Sequence, residues 1–364
     1  MEPGSSPVLL PQTKGFVIML GTQTIKRINE IEHNGRFMTR PAELQDAEAV
    51  ASLLNACSIE QIGRPEWEAH ELETDWRNPI IDLANDTCVV ATGDGDLVGY
   101  ADVWDEAPHV RIYSLARVHP RFRKQGIGTA LCQWVEDRAR HSIDAAPAGT
   151  RIALLQSTLA SDAPAQELLR TMGFQVARYF YQMVIEMEGP PPLPRLVEGI
   201  EIRPFVRHQE EAAVIQAVRD AFKDHWGYVE GPFEDELKES LHWMENDPYF
   251  DPSLWFIAID GDEIAGMSLC YPRRVEDPEL GWVSTLGVCR PWRRKGLGLA
   301  LLRYSFGEFY RRGKHKVGLG VDAESLTGAT RLYERAGMRV HRQYATCEKE
   351  LRAGVDLSTQ SVRV

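Results

Sequence analysis

Two short stretches hold the residues best suited to chemistry, Arg123-Lys124-Gln125-Gly126-Ile127-Gly128 and Arg293-Arg294-Lys295-Gly296-Leu297-Gly298. Each follows a strand-like run, residues 112–118 or 282–288, and each opens an amphipathic stretch. The chemistry this suits is anion binding. Glycines one residue apart let the backbone approach a ligand, the free N–H groups of a helix start point at it, and basic side chains neutralise a polyphosphate. The spacing G-x-x-x-x-G-K-[ST] of a P-loop occurs at neither place, and Leu131 and Leu301 stand where a dinucleotide fingerprint has its third glycine.

The elements that must position these loops recur in the same order. A strand from Phe37 leads to a helix capped by Asp46 with Val50, Leu53 and Leu54 on one face. A hairpin then spans residues 88–100 around Gly93-Asp94-Gly95-Asp96, and a third strand ends at Val118. Beyond the first loop, Ile127, Ala130, Leu131, Trp134 and Val135 mark a half-buried helix. A strand over 151–156, a helix over 163–172 stopped by Gly173 and strand material over 176–187 close the copy. From residue 200 the series restarts. Gly99 corresponds to Gly266, Gly126 to Gly296 and Gly173 to Gly337, at offsets of 167, 170 and 164 residues, as a duplicated domain requires. Between the copies the proline-rich run from Gly189 to Pro194 reads as a stiff linker. The expected layout is an extension over 1–35, a first domain over 36–188, a linker over 189–198, a second domain over 199–352 and a tail over 353–364.

With 364 residues, 43% hydrophobic and 26% charged, the chain has the composition of two ordinary globular domains. A formal net charge of −12 excludes a general role on nucleic acid or an anionic membrane, so the clusters of Arg and Lys need a local reason. The six cysteines show no C-x-x-C pair, which points to reduced thiols in cytoplasm and to neither a metal site nor a disulfide framework. Residues 16–20 are apolar but lack the layout of a signal peptide, and no stretch reaches the length of a membrane span.

The arrangement R-x-x-G-x-G between a strand and a helix, followed later by Leu168-Leu169-Arg170-Thr171-Met172-Gly173 or Leu332-Tyr333-Glu334-Arg335-Ala336-Gly337, resembles the GCN5-related N-acetyltransferase (GNAT) family. The resemblance implies an α/β fold with a mixed, mostly antiparallel sheet flanked by helices, present twice in tandem. It implies acetyl-coenzyme A as cosubstrate and no metal. The loops would hold its pyrophosphate through Arg123, Lys124, Gln125, Gly126, Ile127 and Gly128, and through Arg293, Arg294, Lys295, Gly296, Leu297 and Gly298. The strand ends at Val118, Leu286 and Val288 would meet the pantetheine arm, and Ser325 stands where many relatives carry an Asn that contacts the cofactor. The implied acid is Tyr333, whose counterpart Leu169 carries no proton, so the second copy is expected to be catalytic and the first degenerate.

Acetyl transfer to an amine needs a neutral nucleophile, a donor for the oxyanion and an acid for the departing thiolate. His225, in Asp224-His225-Trp226-Gly227, and Glu279 or Glu276, before the strand ending at Val288, are the candidates to take the amine's proton. The expected acceptor is a small-molecule primary amine, and the chain is expected to act as a monomer or homodimer. A non-catalytic acyl-coenzyme A sensor is the competing reading. The whole-chain arrangement is similar to the mycothiol synthase type of tandem acetyltransferase, but Trp282 stands where that type has a catalytic acid, so the mycothiol precursor is not carried over as acceptor.

Overall fold

The computed structural model describes residues 36–361 except Pro79 and Leu196, and the expected extension over 1–35 lies outside the described residues. The described chain divides into two units, residues 36–177 with 346–357 and residues 178–345 with 358–361.

The first unit runs β1 (Phe37–Arg40), α1 (Ala47–Ile62), α2 (Ala69–Trp76), α3 (Leu83–Asp86), β2 (Thr87–Thr92), β3 (Leu97–Asp105), β4 (Arg111–Val118), α4 (Ile127–His141), β5 (Ile152–Leu159) and α5 (Ala163–Thr171). Its strands lie in the order β1-β2-β3-β4-β5, antiparallel except for the parallel pair β4 and β5. After β6 (Gln175–Glu186), the second unit continues through β7 (Ile200–Pro204), α6 (Glu211–Phe222), α7 (Phe233–Asn246), β8 (Trp255–Asp260), β9 (Glu263–Tyr271), β10 (Leu280–Val288), α8 (Leu297–Arg311), β11 (Lys316–Asp322), α9 (Ala329–Arg335) and β12 (Arg339–Arg352). Its order is β6-β11-β10-β9-β8-β7, again with one parallel pair, β10 and β11. This is the mixed α/β sheet expected twice over.

The helix after each loop is fixed by the same burial period. In α4 the buried face holds Ile127, Ala130, Leu131, Trp134 and Val135; in α8 it holds Leu297, Ala300, Leu301, Leu302, Ser305, Phe306 and Phe309. Those spacings of three and four residues put one stripe of each helix against the sheet. In the second unit, α8 and α9 cover one apolar cluster with Leu286, Leu319 and Tyr333, and α6 covers another with Phe222, Trp255 and Met267.

The closing strands are used crosswise. Residues 178–186, expected to end the first copy, pair antiparallel with β11 from Phe180↔Asp322 to Glu186↔Lys316. The later half of β12 belongs to the first unit, where Glu350 meets Arg151 at 2.9 Å and Thr346 meets Ser157 at 2.9 Å. Duplication explains why this works: both copies present the same kind of edge to the same kind of strand, so either closing strand satisfies it. The proline-rich stretch therefore passes from β6 to β7 inside the second unit.

Candidate active site

The parallel pair in each unit forks. Strands β10 and β11 pair only from Leu280↔Lys316 to Val283↔Leu319, yet β10 runs on to Val288. In the first unit β4 and β5 pair from Arg111↔Ala153 to Ser114↔Gln156, and β4 runs on to Val118. Beyond each fork the backbone of the longer strand turns amide groups toward the gap, a fit for a ligand arm that itself carries amides. The forks differ in one respect. The register of β9 with β10 shifts by one residue between Val283 and Thr285, a bulge at Ser284 whose hydroxyl donates to the Leu269 carbonyl at 3.0 Å. The register of β3 with β4 is unbroken from Gly99↔Val118 to Asp105↔Ile112.

At the open end of each fork lies the glycine loop. Arg294 and Gly296 take positive φ of 65° and 84°, and Lys124 and Gly126 take 60° and 85°. Left-handed residues at alternate positions curl the backbone so that its N–H groups converge on one concave side. Gly296 and Gly126 cap α8 and α4, whose first-turn N–H groups add to that cradle. A concave row of donors of this kind can take the oxygens of a diphosphate. Arg294, Lys295 and Lys124 are exposed beside it, while Leu297 and Ile127 are buried anchors. Leu286 and Val288 also send their side chains into the core, so only their backbone is offered to the gap. Gly128 is pressed under Leu168, where a Cβ would come within 3.0 Å of Cδ2.

Arg293 has a different place from the other basic residues of its loop. Its guanidinium donates to the carbonyls of Val288 at 2.9 Å and Ala221 at 2.8 Å and pairs with Asp224. Asp224, 2% exposed, also accepts from Arg290 Nε at 2.8 Å. The hydrogen bond from Arg290, with that from Arg293, holds its carboxyl down at about 2. This buried hub stitches α6, the end of β10 and the loop together. Sequence reasoning missed the role of Asp224 and Arg290; the signal was an acid just before His225 and an extra Arg just before the loop. In the first unit Arg123 pairs instead with Glu60, and the Gln125 side-chain carbonyl is buried without a hydrogen-bond partner.

The expected acid–base residues are placed unequally. Tyr333, on α9, is 1% exposed within the apolar cluster under α8. Ser325 sits ahead of that helix, its hydroxyl 3.1 Å from Thr327 Oγ1 and accepting from the Ala329 N–H at 3.3 Å. Glu279 is exposed, pairs with Lys314 at 3.2 Å, and precedes the first residue of β10. At about 3.3 Å per residue it is some 30 Å along the strand from Val288, where β10 ends. Glu276 is buried near Arg274. His225 is buried with its ring edge-on to Phe222 at 4.2 Å, and neither ring nitrogen has a hydrogen-bond partner.

Burial, with the Arg293 charge, pushes the His225 pKa down to about 3. The imidazole is therefore neutral at pH 7 and a weak base. Because the folded-state value lies below the ordinary 6.5, the unfolded chain takes the proton first as pH falls. Stability present above pH 6.5 should drain away toward pH 3, by on the order of 3 kcal/mol at pH 4. Thermal melts of His225→Gln should show a shallower decline across that window, and parallel wild-type and variant curves would refute this.

Residues 48–174 and 215–338 each match the profile of the Acetyltransferase (GNAT) family. The chain belongs to this family. It is similar to the mycothiol acetyltransferase of Geodermatophilus obscurus, 33% identical over 300 residues that span 80% of this chain and 91% of the relative. The mycothiol acetyltransferase of Pseudarthrobacter chlorophenolicus is 30% identical over 252 residues, 68% of this chain and 72% of the relative. Among solved structures, a GCN5-related N-acetyltransferase from Sphaerobacter thermophilus shares 38% identity at a TM-score of 0.73, covering 89% of this chain and 99% of the other. A tandem GNAT protein from the clavulanic acid biosynthesis pathway, 14% identical with a TM-score of 0.64 over 86% of this chain and 98% of its own, is alike in fold. This chain is an acetyl-coenzyme A-dependent acetyltransferase with two tandem GNAT domains.

Proposed function

We propose that the second unit moves the acetyl group of acetyl-coenzyme A directly to a primary amine of a small molecule, and that the first unit is a degenerate copy. The observation that carries this reading is the bulge at Ser284, at the mouth of one fork and missing from β4 in the other. A bulge takes a backbone N–H out of the ladder and re-aims it. An N–H freed beside the thioester carbonyl is placed to stabilise the oxyanion.

In this reading the cradle around Gly296 takes the pyrophosphate and the fork takes the pantetheine arm. Acetyl-coenzyme A supplies the activated acyl group. Tyr333, shielded from bulk water at 1% exposure, donates the proton to the departing thiolate, a step that the Leu169 side chain cannot perform. His225, enclosed and weakly basic, shapes the wall behind Arg293, and the amine's proton leaves through water. Relatives named for mycothiol acetylation make a mycothiol-related amine the first acceptor to assay. Trp282, with Arg274 at 5.0 Å from its ring, stands where that synthase type carries an acid, and for that reason we do not name it as the acceptor.

Free-thiol release by Tyr333→Phe tests the assignment. Loss of a general acid predicts a fall of about a hundredfold in turnover with acetyl-coenzyme A affinity unchanged. Turnover equal to the wild type would remove Tyr333 from the mechanism.

A further inference from the structure

The last described residues of the chain belong to the second unit, and their contacts are specific. Thr359 and the loop after α6 exchange a backbone pair, Gly227 N–H to Thr359 O at 2.8 Å and Thr359 N–H to Tyr228 O at 2.9 Å. The Thr359 hydroxyl donates to the Lys223 carbonyl at 3.0 Å, and the Trp226 indole N–H donates to Gln360 Oε1 at 3.0 Å. Gln360 is itself braced by a 2.7 Å hydrogen bond to Ser358 Oγ. A single residue making three hydrogen bonds to one loop is a fastening.

What the loop spans gives the fastening its meaning. It leaves α6 above the end of β10, where a Cβ on Gly287 would come within 3.0 Å of Ala221 and 3.1 Å of Phe222. Four residues after Phe222, Trp226 reaches the strand on the other side of β11: its ring is 6.3 Å from Phe180 and 5.3 Å from the Arg178 guanidinium. Phe180 pairs with Asp322, the last residue of β11, and Arg178 binds that carboxylate at 2.9 Å. The loop thus starts over one arm of the fork and ends beyond the other. Asp224, two residues from Trp226, carries the tie to Arg290 and Arg293.

We propose that residues 358–360 fasten the loop 223–228 across the fork of the second unit, with Trp226 as a positioning residue that roofs the acyl arm of bound acetyl-coenzyme A and bounds the path of the amine. An indole held by a tilted contact with Phe180, by the Arg178 cation on its face and by a hydrogen bond from its N–H keeps water from the thioester without touching the reacting atoms. This rests on the reading that the second unit's fork holds the cofactor.

Hydrogen exchange of the full chain with and without acetyl-coenzyme A tests both levels separately. Segment 293–299 reports the cofactor loop and segment 223–228 reports the roof. Acetyl-coenzyme A should slow exchange in both, by about tenfold in the roof. A chain ending at Leu357 and Trp226→Ala should each keep the slowing at 293–299 and lose it at 223–228, while Trp226→Phe, which retains a ring against Phe180 and Arg178, should keep most of it. Slowing at 293–299 alone in the full chain overturns the roof, and undiminished slowing at 223–228 in the shortened chain overturns the fastening. No slowing at either segment overturns the placement of the cofactor itself.

Discussion

Gly296→Glu should reduce acetyl transfer by at least about a hundredfold, the scale on which loss of preorganised donors acts, while Gly126→Glu should leave most of it. Gly296 caps α8 at a φ of 84°, and a Cβ added there meets nothing within 4 Å. The variant therefore has room to fold, and its structural cost is confined to left-handed strain of about 1–2 kcal/mol. What changes is charge: a carboxylate enters the concave row of N–H groups and the α8 terminus, where it satisfies the donors and repels the diphosphate. Gly296→Ala separates the two effects, carrying the same strain without the charge, and should retain much of the affinity. Gly126 has nearly the same backbone, φ 85°, so the paired substitution holds geometry constant and varies only which copy is blocked. Free-thiol release under saturating amine gives the comparison. Equal losses in the two Glu variants would contradict catalysis in the second unit alone.

The expectation behind that contrast comes from features that are local in the sequence. Two glycines after a strand, a helix with its apolar residues three and four apart, and Tyr333 against Leu169 all lie within short windows, and α4 and α8 formed where the period placed them. Helix α7 had no place in the sequence reading. Its buried face holds Asp235 and Glu239 together with Met244, and carboxylates on the inner face blur the period that hydrophobicity would otherwise announce. The crossed closing strands were illegible for another reason. The β-branched and aromatic residues along 176–187 say that a strand forms, while its partner is chosen by pairing over more than a hundred residues, which composition does not encode.

The acid–base residues divide along the same line. His225 and Glu279 were chosen by residue type and by nearness in sequence to elements expected around the acceptor. Glu279, just before β10, lies roughly 16 Å along the strand from the bulge at Ser284, and it is paired with Lys314. His225 does lie beside Arg293, yet the burial that puts it there also strips its basicity. The bulge at Ser284 left no mark in the sequence, since Gly281-Trp282-Val283-Ser284-Thr285 reads as an ordinary strand and the extra residue shows only in its register against β9.

Asp224→Ala should lower the stability of the second unit by about 3 kcal/mol or more, the range seen when one partner of a buried ion pair is removed. The carboxylate is the common acceptor for Arg290 and Arg293, and Arg293, 14% exposed, would keep its charge with that carboxylate partner gone. Arg290 is 57% exposed and can turn to water, so the penalty comes mainly from Arg293. The damage should also be functional. Arg293 holds the carbonyls of Val288 and Ala221, so releasing it loosens the end of β10 and the adjoining loop, and acetyl-coenzyme A affinity should fall along with the melting temperature. The sign with pH is fixed by the carboxyl, whose folded-state value of about 2 lies below the ordinary 3.8. Its contribution is fully present above pH 3.8 and is lost as pH falls toward 2, so wild type and Asp224→Ala should converge in acid. Asp224→Asn, which keeps the shape and loses the charge, should resemble Asp224→Ala if the ion pair is what matters. An Asn variant as stable as the wild type at pH 7 would assign the hub to hydrogen-bond geometry alone.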